Sequence, residues 1–167
     1  MEMLFADEAP PSDPGVSLAV KKRWCVLMVD DDEEVHTVTR LALRNFDFQG
    51  QELELISAYS ASAGRAIFES RQDIALAIID VVMETEHAGL DLVHYVRNTL
   101  ENHRTRLVMR TGQPGQAPQD QVIREYDIDD YKEKTEMTNR AVVTGFITGI
   151  WIETISWSSK MGRPSAS

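Results

Sequence analysis

Two carboxylates stand side by side at Asp30-Asp31, directly after the apolar run Trp24-Cys25-Val26-Leu27-Met28-Val29. A third, Asp80, ends a second apolar run, Ile74 to Ile79. Thr111 closes the short run Arg106 to Arg110, and Lys134 follows the polar segment Ile128 to Tyr131. Acids, a hydroxyl and an ammonium suit phosphoryl chemistry if the fold gathers them. Carboxylates held close repel one another, and each raises the next one's pKa. A hard divalent cation relieves that repulsion. Mg²⁺ takes oxygen ligands in octahedral geometry, with one or two carboxylates and water or phosphate completing the shell. A carboxylate beside it can attack a phosphoryl group and form an aspartyl phosphate. The equatorial oxygens of the transferred group then need neutralising, to which the cation, Lys134 and the Thr111 hydroxyl each contribute.

Taken singly, each feature has a plainer explanation. An acidic run that opens a helix is a solvated N-terminus favoured by the helix dipole. Asp80 alone is a strand-end cap, Thr111-Gly112 a turn, and Lys134 surface charge. Their joint placement gives them a common purpose. Trp24–Val29 and Ile74–Ile79 read as strands buried on both faces, because they are continuously apolar and of strand length. Leu53 to Tyr59 and Arg106 to Arg110 are further strands, and Ile128 to Tyr131 is a weak, polar fifth. Between them lie helical spacings. Val35, Val38, Leu41, Ala42 and Phe46 line one helix face, Ser60 or Ser62 caps a short second helix, and Leu90, Val93, Val96 and Leu100 space a third. Val122, Ile123 and Tyr126 suggest a fourth, and a last helix starts near 135–139. Strands alternating with helices predict an α/β fold with a five-stranded, doubly wound parallel sheet in the order 2-1-3-4-5. In that order the ligand crevice lies at the carboxyl ends of strands 1 and 3. Those ends carry Asp30-Asp31 and Asp80, with Thr111 and Lys134 at the ends of strands 4 and 5.

With these pieces in order, the sequence resembles the receiver domain of two-component response regulators. The matching stretches are Val26-Leu27-Met28-Val29-Asp30-Asp31, Ala77-Ile78-Ile79-Asp80-Val81-Val82-Met83, Gly89-Leu90, Leu107-Val108-Met109-Arg110-Thr111-Gly112, and Asp129-Asp130-Tyr131-Lys132-Glu133-Lys134. The resemblance covers about residues 23–145 and implies the flavodoxin-like receiver fold. It implies that Asp80 accepts phosphate from a histidine kinase or phosphotransfer protein. Asp31 would hold Mg²⁺ directly and Asp30 through water, with the Val82 backbone carbonyl as a further ligand. Thr111 would bond the phosphoryl group and swing toward it on activation. Lys134 would pair with a phosphoryl oxygen, Tyr131 would be the aromatic rotamer switch, and Gly112 would leave the site accessible. Such a protein is a phosphoprotein of signal transduction rather than an enzyme in its own right. The phrase Tyr126 to Thr135 is similar to a subgroup whose receivers open longer chains that continue into a sensor-like domain and a cyclic-di-nucleotide phosphodiesterase or similar output.

Two departures from the family pattern stand beside the site. Glu84 replaces the proline common after the residue matching Met83, and Glu84 to Ala88 is one residue longer than usual. Thr135 replaces the proline that usually follows Lys134 in a cis bond. A non-proline cis bond costs ~2.5–4 kcal/mol, so a trans bond is expected.

The 167 residues fit one domain of the usual ~100–200. The net charge of −10 argues against direct binding to nucleic acid or an anionic membrane, which needs clustered Lys and Arg. No stretch reaches the ~18 apolar residues of a membrane span. Cys25, the single cysteine, excludes an internal disulfide and a cysteine-rich zinc site, and its apolar neighbours make it a buried small hydrophobe. His36, His87, His94 and His103 show no metal-ligand spacing. The acidic, proline-containing 1–22 reads as a disordered lead rather than a secretory signal, so a cytoplasmic location is expected. Residues 146–167 read as the end of the last helix, or a piece of a following domain, plus a disordered tail. Ala141 to Trp157 carries a single charge, Glu153, so the helix there is expected to make a homodimer or domain contact. Two alternatives stay open: an aspartate-based phosphohydrolase with Asp30 of the Asp30-Asp31-Asp32 motif as nucleophile, and a receiver-shaped interaction module that is not phosphorylated.

Overall fold

The computed structural model describes residues 23–48, 50–112, 119–133 and 149. The acidic lead, Lys134, the Lys134–Thr135 bond, the last helix and the apolar stretch around Val142, Val143, Phe146 and Ile150 lie outside the described residues.

Among the described residues, six strands form one sheet. They are β1 (Trp24–Val29), β2 (Asp47–Phe48), β3 (Gln51–Ala58), β4 (Ile74–Asp80), β5 (Arg106–Thr111) and β6 (Asp130–Glu133), in the order β2-β3-β1-β4-β5-β6. The five strands β3-β1-β4-β5-β6 are all parallel. This is the expected 2-1-3-4-5 order. β2, which no periodicity in the sequence announces, is a two-residue antiparallel edge added to β3 through the turn at Gly50, whose φ of +72° favours glycine. Among the described residues the helical elements include α1 (Glu33–Ala42), α2 (Ala61–Ser70), α3 (Ala88–His94) and α4 (Gln119–Tyr126). A π-helical turn, Tyr95–Thr99, extends α3.

Alternation along the central strands builds two cores. Leu27, Val29, Ala77, Ile79, Leu107 and Met109 face one side, with Phe68, Leu92, Val93 and Val96 from the helices there. Val26, Met28, Leu76, Ile78 and Val108 face the other, with Ala42 and Leu43. Both faces of β1 and β4 are covered, which is why these strands read as continuous apolar runs. Cys25 is 1% exposed, and burial pushes its thiol up to about 11. It is thus the buried hydrophobe expected from the sequence.

The inward face of α1 differs from the expected stripe. His36, Thr39 and Ala42 are its buried residues, Val35 and Val38 are half-buried, and Leu41 is exposed. Apolarity misled here because the end of β1 presents a polar group to the helix: His36 is fully buried against the Asp30 carbonyl. Phe46 lies past the helix in the following turn. Ser60 is the residue that caps α2, accepting from the Ala63 N–H at 3.1 Å.

Candidate functional site

The acidic run after β1 divides between two tasks. Asp32 is the N-cap of α1 and accepts the Glu34 N–H at 2.9 Å, and Glu33 and Glu34 occupy the first turn, where the helix dipole favours them. The plain explanation of an acidic helix start therefore holds for the second half of the run. Asp30 and Asp31 precede that cap, between the end of β1 and α1.

Parallel register fixes where they meet Asp80. Val29 pairs with Ile79, so Asp30 falls beside Asp80, and Asp80 pairs with Arg110 on β5. Asp30, Asp31 and Asp80 each offer a carboxylate oxygen within 4.8 Å of the other two. Asp30 and Asp80 are buried, and Asp31 is exposed. This donor set fits Mg²⁺. Opposite oxygens of an octahedral Mg²⁺ shell lie about 4.2 Å apart, twice a ligand distance of ~2.1 Å, so small side-chain movements close the cluster on a cation.

Asp30 is fixed on every side. Its N–H donates to the Ala58 carbonyl (3.1 Å), and its own carbonyl accepts from His36 Nε2 (2.7 Å). That contact makes Nε2 the protonated ring nitrogen, and the ring lies 4.3 Å from that of Tyr59. Asp30 Oδ1 accepts the Asp32 N–H (2.9 Å), and Oδ2 lies 3.2 Å from Arg110 Nη2.

Asp80 is held through the loop that follows it. The Val81 N–H donates to the Arg110 carbonyl (3.0 Å) and the Gly89 N–H to the Val81 carbonyl (3.1 Å). A Cβ on Gly89 would sit 1.9 Å from the Asp80 carbonyl oxygen and 2.8 Å from its carbon, so the start of α3 can approach only as glycine. Gly89→Ala is expected to push α3 and the loop off the end of β4 and to destabilise the protein by about 1–3 kcal/mol. Chemical denaturation measures this, and a midpoint equal to wild type would show that the close approach is dispensable. Glu84 explains the first departure from the family pattern. Its Oε1 accepts the Ala61 N–H at 2.8 Å, which ties the loop beside Asp80 to the N-terminus of α2.

Thr111 ends β5 and is 3% exposed. It lies two residues past Met109, which pairs with Tyr131, so Thr111 and Tyr131 share the sheet face that carries α3 and α4. Tyr131 is half-buried against that core. Val82 is exposed in the loop after Asp80, and Gly112 is exposed beyond Thr111. Lys134 lies outside the described residues. The structure thus brings together Asp30, Asp31 and Asp80, with Thr111 one residue beyond the Asp80–Arg110 pair. Sequence reasoning gave no site role to Arg110, His36, Glu84 or Gly89. Glu84 stands out in the sequence as a departure from the family pattern and Gly89 as part of a matching stretch, whereas Arg110 and His36 carry no such signal.

No family model matches the sequence. Over 144 residues it is 58% identical to a 3'3'-cGAMP-specific phosphodiesterase 2 of Vibrio cholerae serotype O1; the match takes in 84% of this chain but 28% of that protein. In structure it is similar to a CheY-like response regulator receiver domain protein of Methanospirillum hungatei JF-1. That match has a TM-score of 0.63 and 22% identity and covers 84% of this chain and all of the other. A signal receiver domain of an HD domain-containing protein of Pseudomonas fluorescens Pf-5 matches with a TM-score of 0.64 and 18% identity, over 81% and 99% of the two chains. Among the described residues no helix is long and apolar enough to cross a membrane. A five-stranded parallel sheet in this order, acids at its switch point and these likenesses together give the chain the receiver fold of two-component response regulators.

Proposed function

We propose that the chain is a phosphoacceptor receiver. Asp80 takes a phosphoryl group from a histidine kinase or phosphotransfer protein, and the resulting change of state controls an output. The convergence of Asp30, Asp31 and Asp80 within 4.8 Å at the ends of two neighbouring strands carries this reading. An Asp80 oxygen attacks the phosphorus of the donor. The new O–P bond forms as the N–P bond of a phosphohistidine breaks, and the leaving imidazole takes a proton from solvent. Mg²⁺, when bound, offsets the negative charge gathered there. Asp31 would hold it directly, Asp30 through water, and Asp80 and the Val82 carbonyl would complete the protein's share. Thr111 and Lys134 serve the phosphoryl oxygens. Inward movement of Thr111 would open space for Tyr131 on the face the two residues share. The output we propose is a cyclic-dinucleotide phosphodiesterase activity, a reading supported by the 58% identical relative.

The phosphohydrolase alternative asks Asp30 to be the nucleophile. Its Oδ1 accepts the Asp32 N–H and its Oδ2 is ion-paired with the buried Arg110, which makes it a poor nucleophile. The test is incubation with acetyl phosphate or a phosphorylated kinase and Mg²⁺, followed by mapping of the adduct by mass spectrometry. One phosphoryl group on the peptide containing Asp80 is expected. An adduct on Asp30, or none with any donor, would overturn the proposal.

A further inference from the structure

Arg110 is an unusual residue to find at the end of β5. Its side chain is 5% exposed, and its Nη2 lies 3.2 Å from Oδ2 of Asp30, itself 1% exposed. The two residues are not on neighbouring strands. β4 runs between β1 and β5, so the guanidinium crosses the end of β4, where Asp80 sits in register with Arg110. Strands lie ~4.8 Å apart, so the span is roughly two strand spacings, within reach of a long side chain. Arg110 Nε is buried, with no hydrogen-bond partner among the described residues. A buried guanidinium with a spare donor, ion-paired to one of three clustered carboxylates, is costly unless its charge is used there.

We propose that Arg110 is a tethered cation of the acidic site, a positioning residue that stands in part for the metal. This rests on reading the crevice as a divalent-cation site, as the proposed function does. The guanidinium offsets the repulsion among Asp30, Asp31 and Asp80 while no metal is bound. By occupying Oδ2 of Asp30, with Oδ1 taken by the Asp32 N–H, it keeps that carboxylate out of direct metal contact. Asp31 and Asp80 are left as the direct carboxylate ligands. A fixed positive charge beside the site also lowers its affinity for a second cation. The site therefore stays folded without metal and binds Mg²⁺ more weakly than its carboxylates alone would.

The test compares wild type, Arg110→Met and the double variant Asp30→Asn/Arg110→Met, each stripped with EDTA. Mg²⁺ is titrated by calorimetry with no phosphoryl donor present, and thermal melting is followed in EDTA. Arg110→Met is expected to melt lower than wild type in EDTA, because it removes the buried guanidinium paired with Asp30, and to bind Mg²⁺ about tenfold more tightly. The double variant, with neither ion left alone, is expected to recover most of the lost melting temperature. A merely structural arginine would leave Mg²⁺ affinity unchanged or weakened, and that result would overturn the proposal. So would a melting loss that the double variant does not recover. Should Arg110→Met fail to fold, the double variant decides: it folds if the two charges answer one another, and its failure to fold would sink the idea. The phosphoacceptor reading can fail separately. A wild type that no donor phosphorylates, alongside tighter Mg²⁺ binding in Arg110→Met, would overturn that reading and leave the role of Arg110 standing.

Discussion

Asp80→Asn is expected to abolish phosphoryl transfer to this protein, a fall of more than about a hundredfold to the background of the donor's own hydrolysis. The substitution keeps the shape of the side chain and removes the anionic oxygen that attacks. The three carboxylates are not equivalent candidates. Asp31 is exposed, one residue beyond the end of the fixed Asp30 backbone. Asp30 is held by the Asp32 N–H and Arg110. Asp80 ends the strand between β1 and β5, and the backbone around it is clamped by the Gly89 and Val81 hydrogen bonds, so its carboxylate is presented from a rigid support. The measurement is adduct yield against time with acetyl phosphate and Mg²⁺. Far-ultraviolet circular dichroism serves as the control for folding. Full-yield labelling of Asp80→Asn would sink the assignment. Label that moved to Asp30 would revive the phosphohydrolase reading.

Why the acid cluster is legible in the sequence, while Arg110 is not, is a matter of what kind of pattern a residue belongs to. β1 and β4 are buried on both faces, so their composition announces them, and an abrupt acid at the end of each marks the crevice. Sheet order follows from the alternation of strands with helices and from the handedness of the connections. The fifth strand was legible only as a weak polar segment, because β6 is half-buried along its whole length. The β2 edge left no trace, since two residues are too few for any periodicity. Arg110 sits in a run that reads Arg-Leu-Val-Met-Arg, where two flanking arginines look like ordinary solvated strand ends. Arg106 is one, half-buried and paired with Asp129, while Arg110 is drawn inward by Asp30, 80 positions earlier in the chain. The inward face of α1 was misread for the same reason. A helix stripe is judged by apolarity, and His36 is buried for the carbonyl it bonds. Buried polar groups are specified by partners brought close only by the fold.

Arg97→Ala is expected to be the most destabilising single change outside the crevice. Arg97 is 5% exposed and lies on the π-helical turn after α3. It donates to the carbonyls of Asp127 (2.8 Å), Asn102 (2.5 Å) and Thr105 (3.0 Å) and to Asp129 Oδ2 (3.2 Å). Burial pulls the guanidinium pKa below its ordinary value, while the charges of Asp129 and Asp127 pull it up. One side chain thus satisfies three backbone acceptors and one carboxylate. Removing it strands those groups and costs about 3–5 kcal/mol, a large share of the ~5–15 kcal/mol that holds a domain together. At this chain length that corresponds to a fall of about 10 °C or more in melting temperature. The damage should concentrate on β6. Asp127 has a φ of +51°, a strained turn for a side chain other than glycine, and its carbonyl is held by Arg97. Two residues on, Asp129 ties β6 to β5 through its N–H to the Leu107 carbonyl and its Oδ2 to the Leu107 N–H, both at 2.8 Å. Hydrogen exchange should therefore quicken first at Asp130–Glu133, the strand that carries Tyr131. Arg65 gives the contrast. It stacks on Tyr95 at 3.7 Å and pairs with Glu69, but in solvent, and Arg65→Ala should leave the melting temperature nearly unchanged. Equal melting temperatures for the two variants would show that the Arg97 contacts do not hold β6 in place.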